Sequence, residues 1–170
     1  LVRRSRRITF QTSYTLSRAM AYGGLVADNN ALAQNQNCVF CEYELAYPVN
    51  DERHRVVLLG IFELPYGIQL SPVIQIASAR PYNRTAGRDL NGDGNNNDRY
   101  VDPATGAQDK LNAARGDYFF LTDMRASKIF RFKSERLQLN VFAEFFNLTN
   151  KVNFGNNYQG NGRSSSFMKP

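Results

Sequence analysis

The sequence predicts an all-β fold, an antiparallel up-and-down meander of about five or six long strands. Three observations predict it. Apolar and polar residues alternate with period two in separate runs along the chain, the spacing that puts successive side chains on opposite faces of a strand. Phe and Tyr are abundant, Trp is absent, and aromatics lie within those runs. Gly and Asn gather between the runs, where turns require them. A composition of 42% hydrophobic and 12% aromatic residues excludes a disordered chain.

The first strand is expected at 8–17, where Ile8, Phe10, Tyr14 and Leu16 alternate with Thr9, Gln11, Ser13 and Thr15. The second, 55–64, is apolar in both phases. Arg55 and Glu63 share one phase, which turns Val56, Leu58, Gly60 and Phe62 toward the apolar side. Leu64-Pro65-Tyr66-Gly67 then makes a tight turn. The third strand, 68–78, sets Leu70, Ile74 and Ile76 against Gln69, Ser71 and Gln75, with Pro72 as an irregularity. The fourth, 119–130, sets Phe120, Met124 and Ala126 against Asp123, Arg125 and Ser127. In the fifth, 137–146, Leu137, Leu139, Val141, Ala143 and Phe145 alternate with Gln138, Asn140, Phe142 and Glu144.

Short turns at Ser5–Arg7, Leu64–Gly67 and Arg131–Arg136 alternate with long polar loops near 19–53 and 81–117. Outer-membrane barrels are wired this way, with tight turns on one side and extended loops on the other. The runs exceed the usual strand of about 5–6 residues. They match the roughly 9–11 residues that carry a tilted strand across a bilayer. The meander is therefore expected to be a segment of a transmembrane β-barrel, its apolar face against outer-membrane lipid and its polar face toward a lumen. A soluble sandwich would show the same alternation. No run of about 18 apolar residues could form a membrane-spanning helix. The chain opens on Leu1-Val2-Arg3-Arg4 without Met or a leader, so it reads as a piece of a longer protein.

Several stretches resemble the C-terminal barrel of TonB-dependent receptors, in particular the Oar-like branch with a carboxypeptidase-regulatory-like domain. They begin with Arg6-Arg7-Ile8-Thr9-Phe10-Gln11-Thr12-Ser13-Tyr14-Thr15-Leu16-Ser17-Arg18, Asp51-Glu52-Arg53-His54-Arg55 and Gly60-Ile61-Phe62-Glu63-Leu64-Pro65-Tyr66-Gly67. Ala79-Arg80-Pro81-Tyr82-Asn83 and Asp89-Leu90-Asn91-Gly92-Asp93-Gly94-Asn95-Asn96-Asn97-Asp98-Arg99 follow. The last are Asp123-Met124-Arg125-Ala126-Ser127-Lys128-Ile129-Phe130, Phe142-Ala143-Glu144-Phe145-Phe146-Asn147-Leu148-Thr149-Asn150 and Asn153-Phe154-Gly155. Their order and spacing, more than any one motif, carry the resemblance. It implies a parent receptor that imports an organic ligand across the outer membrane. Its partners would be the rest of the barrel, a plug domain and the TonB complex. The chain departs from complete members in ending at Pro170 instead of a terminal aromatic, and in carrying no plug domain or TonB box.

Local chemistry is sparse. Asp89-x-Asn91-x-Asp93-Gly94-Asn95 places oxygen side chains at positions one, three and five of a loop, with Gly at six, as hard Ca²⁺ requires. Tyr100 occupies position twelve, where a bidentate Glu is expected. Asp98 or Asp102 is the candidate substitute, and Ca²⁺ is a candidate rather than a required cofactor. The plain alternative is a Gly/Asn-rich turn. Cys38 and Cys41 form a lone C-x-x-C that lacks a second pair for zinc and reads as a local disulfide. Asp123, Arg125, Gln138, Asn140 and Glu144 share the lumen-facing phase of neighbouring strands and read as a polar ladder. A single histidine, His54, and the lack of nucleophile-elbow, phosphate-loop or zinc-protease motifs argue against an enzyme. The net charge of +6 centres on Arg3, Arg4, Arg6 and Arg7, with no basic face interleaved with stacking aromatics for nucleic acid. The alternative expectation is a secreted, calcium-ordered β-sheet adhesin or binding module.

Overall fold

The structure, a computed structural model, describes residues 1–23, 38–132 and 137–170. Part of the expected loop 19–53 and most of the expected turn 131–136 lie outside the described residues. The strands are β1 (Val2–Arg4), β2 (Ile8–Leu16), β3 (Ala21–Tyr22), β4 (Leu45–Ala46) and β5 (His54–Leu64). They continue with β6 (Ile68–Ala77), β7 (Pro81–Tyr82), β8 (Ala114–Arg115), β9 (Phe119–Arg131) and β10 (Gln138–Phe145). The fold is all-β, with single 3₁₀ turns at Glu42–Glu44 and Pro65–Gly67. The chain divides into two compact units, one containing the long strands and one assembled from the connecting segments.

The strand unit (Leu1–Leu16, His54–Ala77, Phe119–Asn153) is a six-stranded sheet in the order β1-β2-β5-β6-β9-β10. Every neighbouring pair is antiparallel. The long strands fall within one residue of the periodic runs at each end, and β1 adds a short strand before the Ser5–Arg7 turn. The register answers the ambiguity of β5. Phe10 pairs with Gly60 and Tyr14 with Val56, while Leu58 pairs with Ile74 and Phe62 with Leu70. Directly paired residues share a face. Ile8, Phe10, Tyr14, Val56, Leu58, Phe62, Leu70, Ile74, Ile76, Phe120, Met124, Val141 and Phe145 therefore form one apolar surface across five strands. Gly60 makes room in it, because a Cβ there would lie 2.7 Å from the Phe62 ring. β5 and β6 join through Pro65-Tyr66-Gly67, where Tyr66 (φ 65°) and Gly67 (φ 73°) both take the left-handed conformation. Beyond β10, Asn147 and Asn150 also turn through positive φ, and the chain returns along β9. Asn153 holds it there, its carboxamide accepting from the Phe120 N–H and donating to the Phe120 carbonyl.

The loop unit (Ser17–Arg53, Ser78–Tyr118, Phe154–Pro170) contains the two-stranded sheets β3-β4 and β7-β8. The periodic pattern gave no sign of this packing, and the segments read as irregular loops. Around Thr85 three segments meet, as Thr85 bridges Arg99 antiparallel and Asn161 parallel. The Thr85 N–H donates to the Gly160 carbonyl, and Gly162 N–H donates back to Thr85. Among the described residues its buried apolar side chains are few: Ala46, Pro48, Val49, Pro81, Tyr82 and Leu111. Ion pairs supplement them. Glu44 and Arg99 meet at 2.8 Å with almost no exposure, and Arg84 grips Asp109 through Nε and Nη2 at 2.6 and 2.8 Å. Arg115 reaches Asp51, and Arg80 reaches Glu52.

Candidate functional site

The expected polar ladder lies on a single face of the sheet, and its members differ in role. Glu144 pairs directly with Arg125, their charged ends 3.5 Å apart, and the Arg125 guanidinium sits 4.0 Å over the Phe142 ring. Both side chains are over 40% exposed, so their pairing contributes little to stability. Asp123 points elsewhere: its Oδ1 accepts the Asn147 N–H at 2.8 Å and fixes the turn after β10. Gln138 lies opposite Arg131 and Asn140 opposite Ile129. The sequence reading missed Arg55, which donates to Gln75 Oε1 at 2.8 Å on the same face and lies near the Phe119 ring. Arg55 and Gln75 sit in the polar phase of their strands, but a ladder drawn from one hairpin could not reach them. His54 opens β5 and hydrogen-bonds through Nδ1 to the Tyr14 hydroxyl.

The Asp89–Asp98 loop is closed by its own backbone. Asp89 Oδ1 accepts from Gly92 and Asp93 N–H and Oδ2 from Gly94 N–H, at 2.7, 3.3 and 2.8 Å. These N–H groups hold the Asp89 carboxyl below its ordinary value, that of Gly94 most strongly. Asn91 Oδ1 accepts from Asp93 N–H, and Asp93 Oδ1 from Asn95 N–H. Asp98 is fully buried, and its Oδ2 accepts from Leu90 and Asn91 N–H. Among the described residues no three His, Cys, Asp or Glu side chains are placed to hold a metal ion. Asp89, Asp93 and Asp98 thus act here as turn acceptors, the Gly/Asn-turn arrangement. Cys38 and Cys41 are joined by a disulfide.

A further constellation of polar groups lies elsewhere in the loop unit. A cavity of about 600 Å³ is walled by three chain segments, at 49, 82–112 and 156–161. Tyr82 stands at the end of β7, paired with Ala114, and its ring stacks on Tyr158 at 5.2 Å. Burial pushes both phenols above their ordinary value, so the hydroxyls stay protonated. Asn112 adopts a left-handed backbone (φ 52°) and donates through Nδ2 to the Tyr47 carbonyl, which places it in the wall. Asn95, Asn96 and Asn97 enter from the end of the Asp89–Asp98 loop. Asn156, Gln159, Gly160 and Asn161 come from the last segment. Gly160 permits the close approach, since a Cβ there would lie 2.1 Å from the Asn83 carbonyl oxygen. The sequence signal for this site was the density of Asn in three distant stretches, which reads equally as turn composition.

Neither a family model nor a curated protein nor a solved structure matches this chain.

Proposed function

We propose that the chain is part of the transmembrane β-barrel of an outer-membrane receptor of the TonB-dependent type, whose parent imports an organic ligand. One observation carries this reading: a largely apolar face, interrupted by Thr12, Thr122 and Lys128, runs across β2, β5, β6, β9 and β10, and many of its side chains are open. Tyr14, Leu139, Val141 and Phe145 are all about half exposed. Among the described residues of the strand unit only Ala77 and Ser127 are buried, so these strands lack the covered face of a sandwich. Uncovered apolar surface on this scale calls for lipid or a partner. The β5, β6 and β9 lengths of 11, 10 and 13 residues suit a tilted crossing of the bilayer. The polar ladder around Arg125 and Glu144 would then face the lumen and the plug domain.

The test is accessibility on the two neighbouring strands β5 and β6. Fluorescent labels on single cysteines at Leu58, Ile74 and Gln75, in a Cys38→Ser/Cys41→Ser background reconstituted in vesicles, are quenched by brominated lipid or by aqueous iodide. Lipid quenching at Leu58 and Ile74 but not Gln75 is expected. Equal iodide quenching at all three would remove the membrane reading.

A secreted, calcium-ordered β adhesin is the second reading. Asp98 favours it: the carboxylate is fully buried against the Asp89 loop, and its Oδ1 takes no hydrogen bond from the described residues. Calcium titration followed by the thermal midpoint decides this part. A rise that Asp98→Asn abolishes supports a bound ion, and an unchanged midpoint removes it.

A further inference from the structure

We infer that the cavity in the loop unit binds a neutral oligosaccharide. Its wall carries eight carboxamide side chains, seven asparagines and Gln159, and not one Asp, Glu, Lys, Arg or His. Of the charges nearby, Arg84–Asp109 and Arg99–Glu44 are engaged with each other, Asp98 accepts from the Leu90 and Asn91 N–H groups, and Asp117 is hydrogen-bonded to Tyr158. An ionic ligand would enter this cavity without a counter-charge, at a desolvation cost nothing on the wall offsets.

A carboxamide carries a donor and an acceptor at one end, and a sugar offers hydroxyls that each donate and accept on adjacent carbons. Several carboxamides on one wall therefore match a polyhydroxylated surface. Asn83 Oδ1 is a ready acceptor, since it is buried and takes no hydrogen bond from the described residues. The phenol of Tyr82 remains a protonated donor at neutral pH, that of Tyr158 is hydrogen-bonded to Asp117, and the stacked rings give the C–H face of a sugar ring an apolar surface. The volume of about 600 Å³ lies inside the range of small-molecule sites. A peptide would also meet carboxamides, but its termini and side chains call for charges and apolar subsites. Only Val49 and Leu111 add aliphatic wall.

The inference does not depend on the membrane reading. Every lining residue belongs to the loop unit, so a receptor and an adhesin would present the same cavity. The quenching experiment above and the binding experiment here can therefore fail separately.

Calorimetric titration of the full chain in a non-glycosidic detergent tests it. The probes are maltotriose, cellotriose and triacetylchitotriose, with trigalacturonate and tetra-alanine as charged and peptide counterparts. At least one neutral trisaccharide is expected to bind. Asn156→Trp, which fills the cavity, should abolish binding, and Asn96→Ala, at an exposed lining position, should weaken it about tenfold. Gln11→Ala, on β2, should leave it unchanged. Circular dichroism checks that each variant is folded, and Asn96→Ala decides the matter if Asn156→Trp is not. Binding by trigalacturonate or tetra-alanine alone, by none of the probes, or at full affinity in the folded variants overturns the inference.

Discussion

Glu44 and Arg99 form the most deeply buried ion pair among the described residues of the loop unit, with side-chain exposures of 0% and 3%. Burial draws the Arg99 guanidinium below its ordinary value, against the opposing pull of Glu44. Glu44→Ala would leave that cation without its buried counter-charge, and removing one partner of such a pair costs about 3–5 kcal/mol. Proteolytic nicking near Tyr43 and Arg99 at native temperature is the expected readout, with much of the loss recovered in Glu44→Leu/Arg99→Met. The tyrosines give a second outcome at this scale. Tyr82 and Tyr158 lie above the ordinary 10.0 because burial disfavours their anions. Below pH 10 they add no pH dependence. Above it the unfolded chain loses these protons first, so the loop unit loses stability as pH rises toward the folded values. Absorbance at 295 nm should show a late-ionising class among the nine tyrosines, missing in a Tyr82→Phe/Tyr158→Phe variant. Asp89 has the opposite sign. Its lowered value adds loop stability present above the ordinary 3.8, and that contribution is lost as pH falls through the folded value.

At the scale of elements, the β5–β6 connection is a tightly constrained turn. Gly67 sits at φ 73°, and a Cβ there would lie 2.8 Å from the Ile129 carbonyl oxygen on β9. Gly67→Ala should cost at least the roughly 1–2 kcal/mol of a left-handed residue, and the contact adds to it. Heat-modifiability of the sheet on gels should shift to lower temperature, whereas Gly92→Ala, with open space around its Cβ, pays only the backbone term. The periodic runs located the long strands to within one residue, because alternation is a local property that survives any packing. The Asp89–Asp98 motif was equally legible, but its chemistry was not. Sequence spacing named the oxygens, and only the fold showed them turned onto their own backbone N–H groups.

For the whole molecule, the sheet is open among the described residues, with β1 and β10 as its outer strands. Unpaired edges beside a broad apolar face favour association. In detergent-free buffer the chain should elute as large aggregates and become monodisperse once detergent is added. A monomer in buffer alone would point to the adhesin. Adding the rest of a barrel in trans should lower the aggregation by pairing those edges.

The sequence by itself determined that the chain is β, where its long strands run and which residues share an apolar phase, since a two-residue period needs no knowledge of neighbours. Register was beyond it. That Glu144 meets Arg125 while Asp123 turns to Asn147 depends on pairing across strands. The loop unit was further still from reach. Val49, Asn83, Asn112 and Asn156 stand in one wall only because backbone bonds around Thr85 and a buried Arg99–Glu44 pair draw distant segments together. Contacts of that kind leave no period in the chain, and their physical cause is satisfaction of buried polar groups, which only the assembled structure decides.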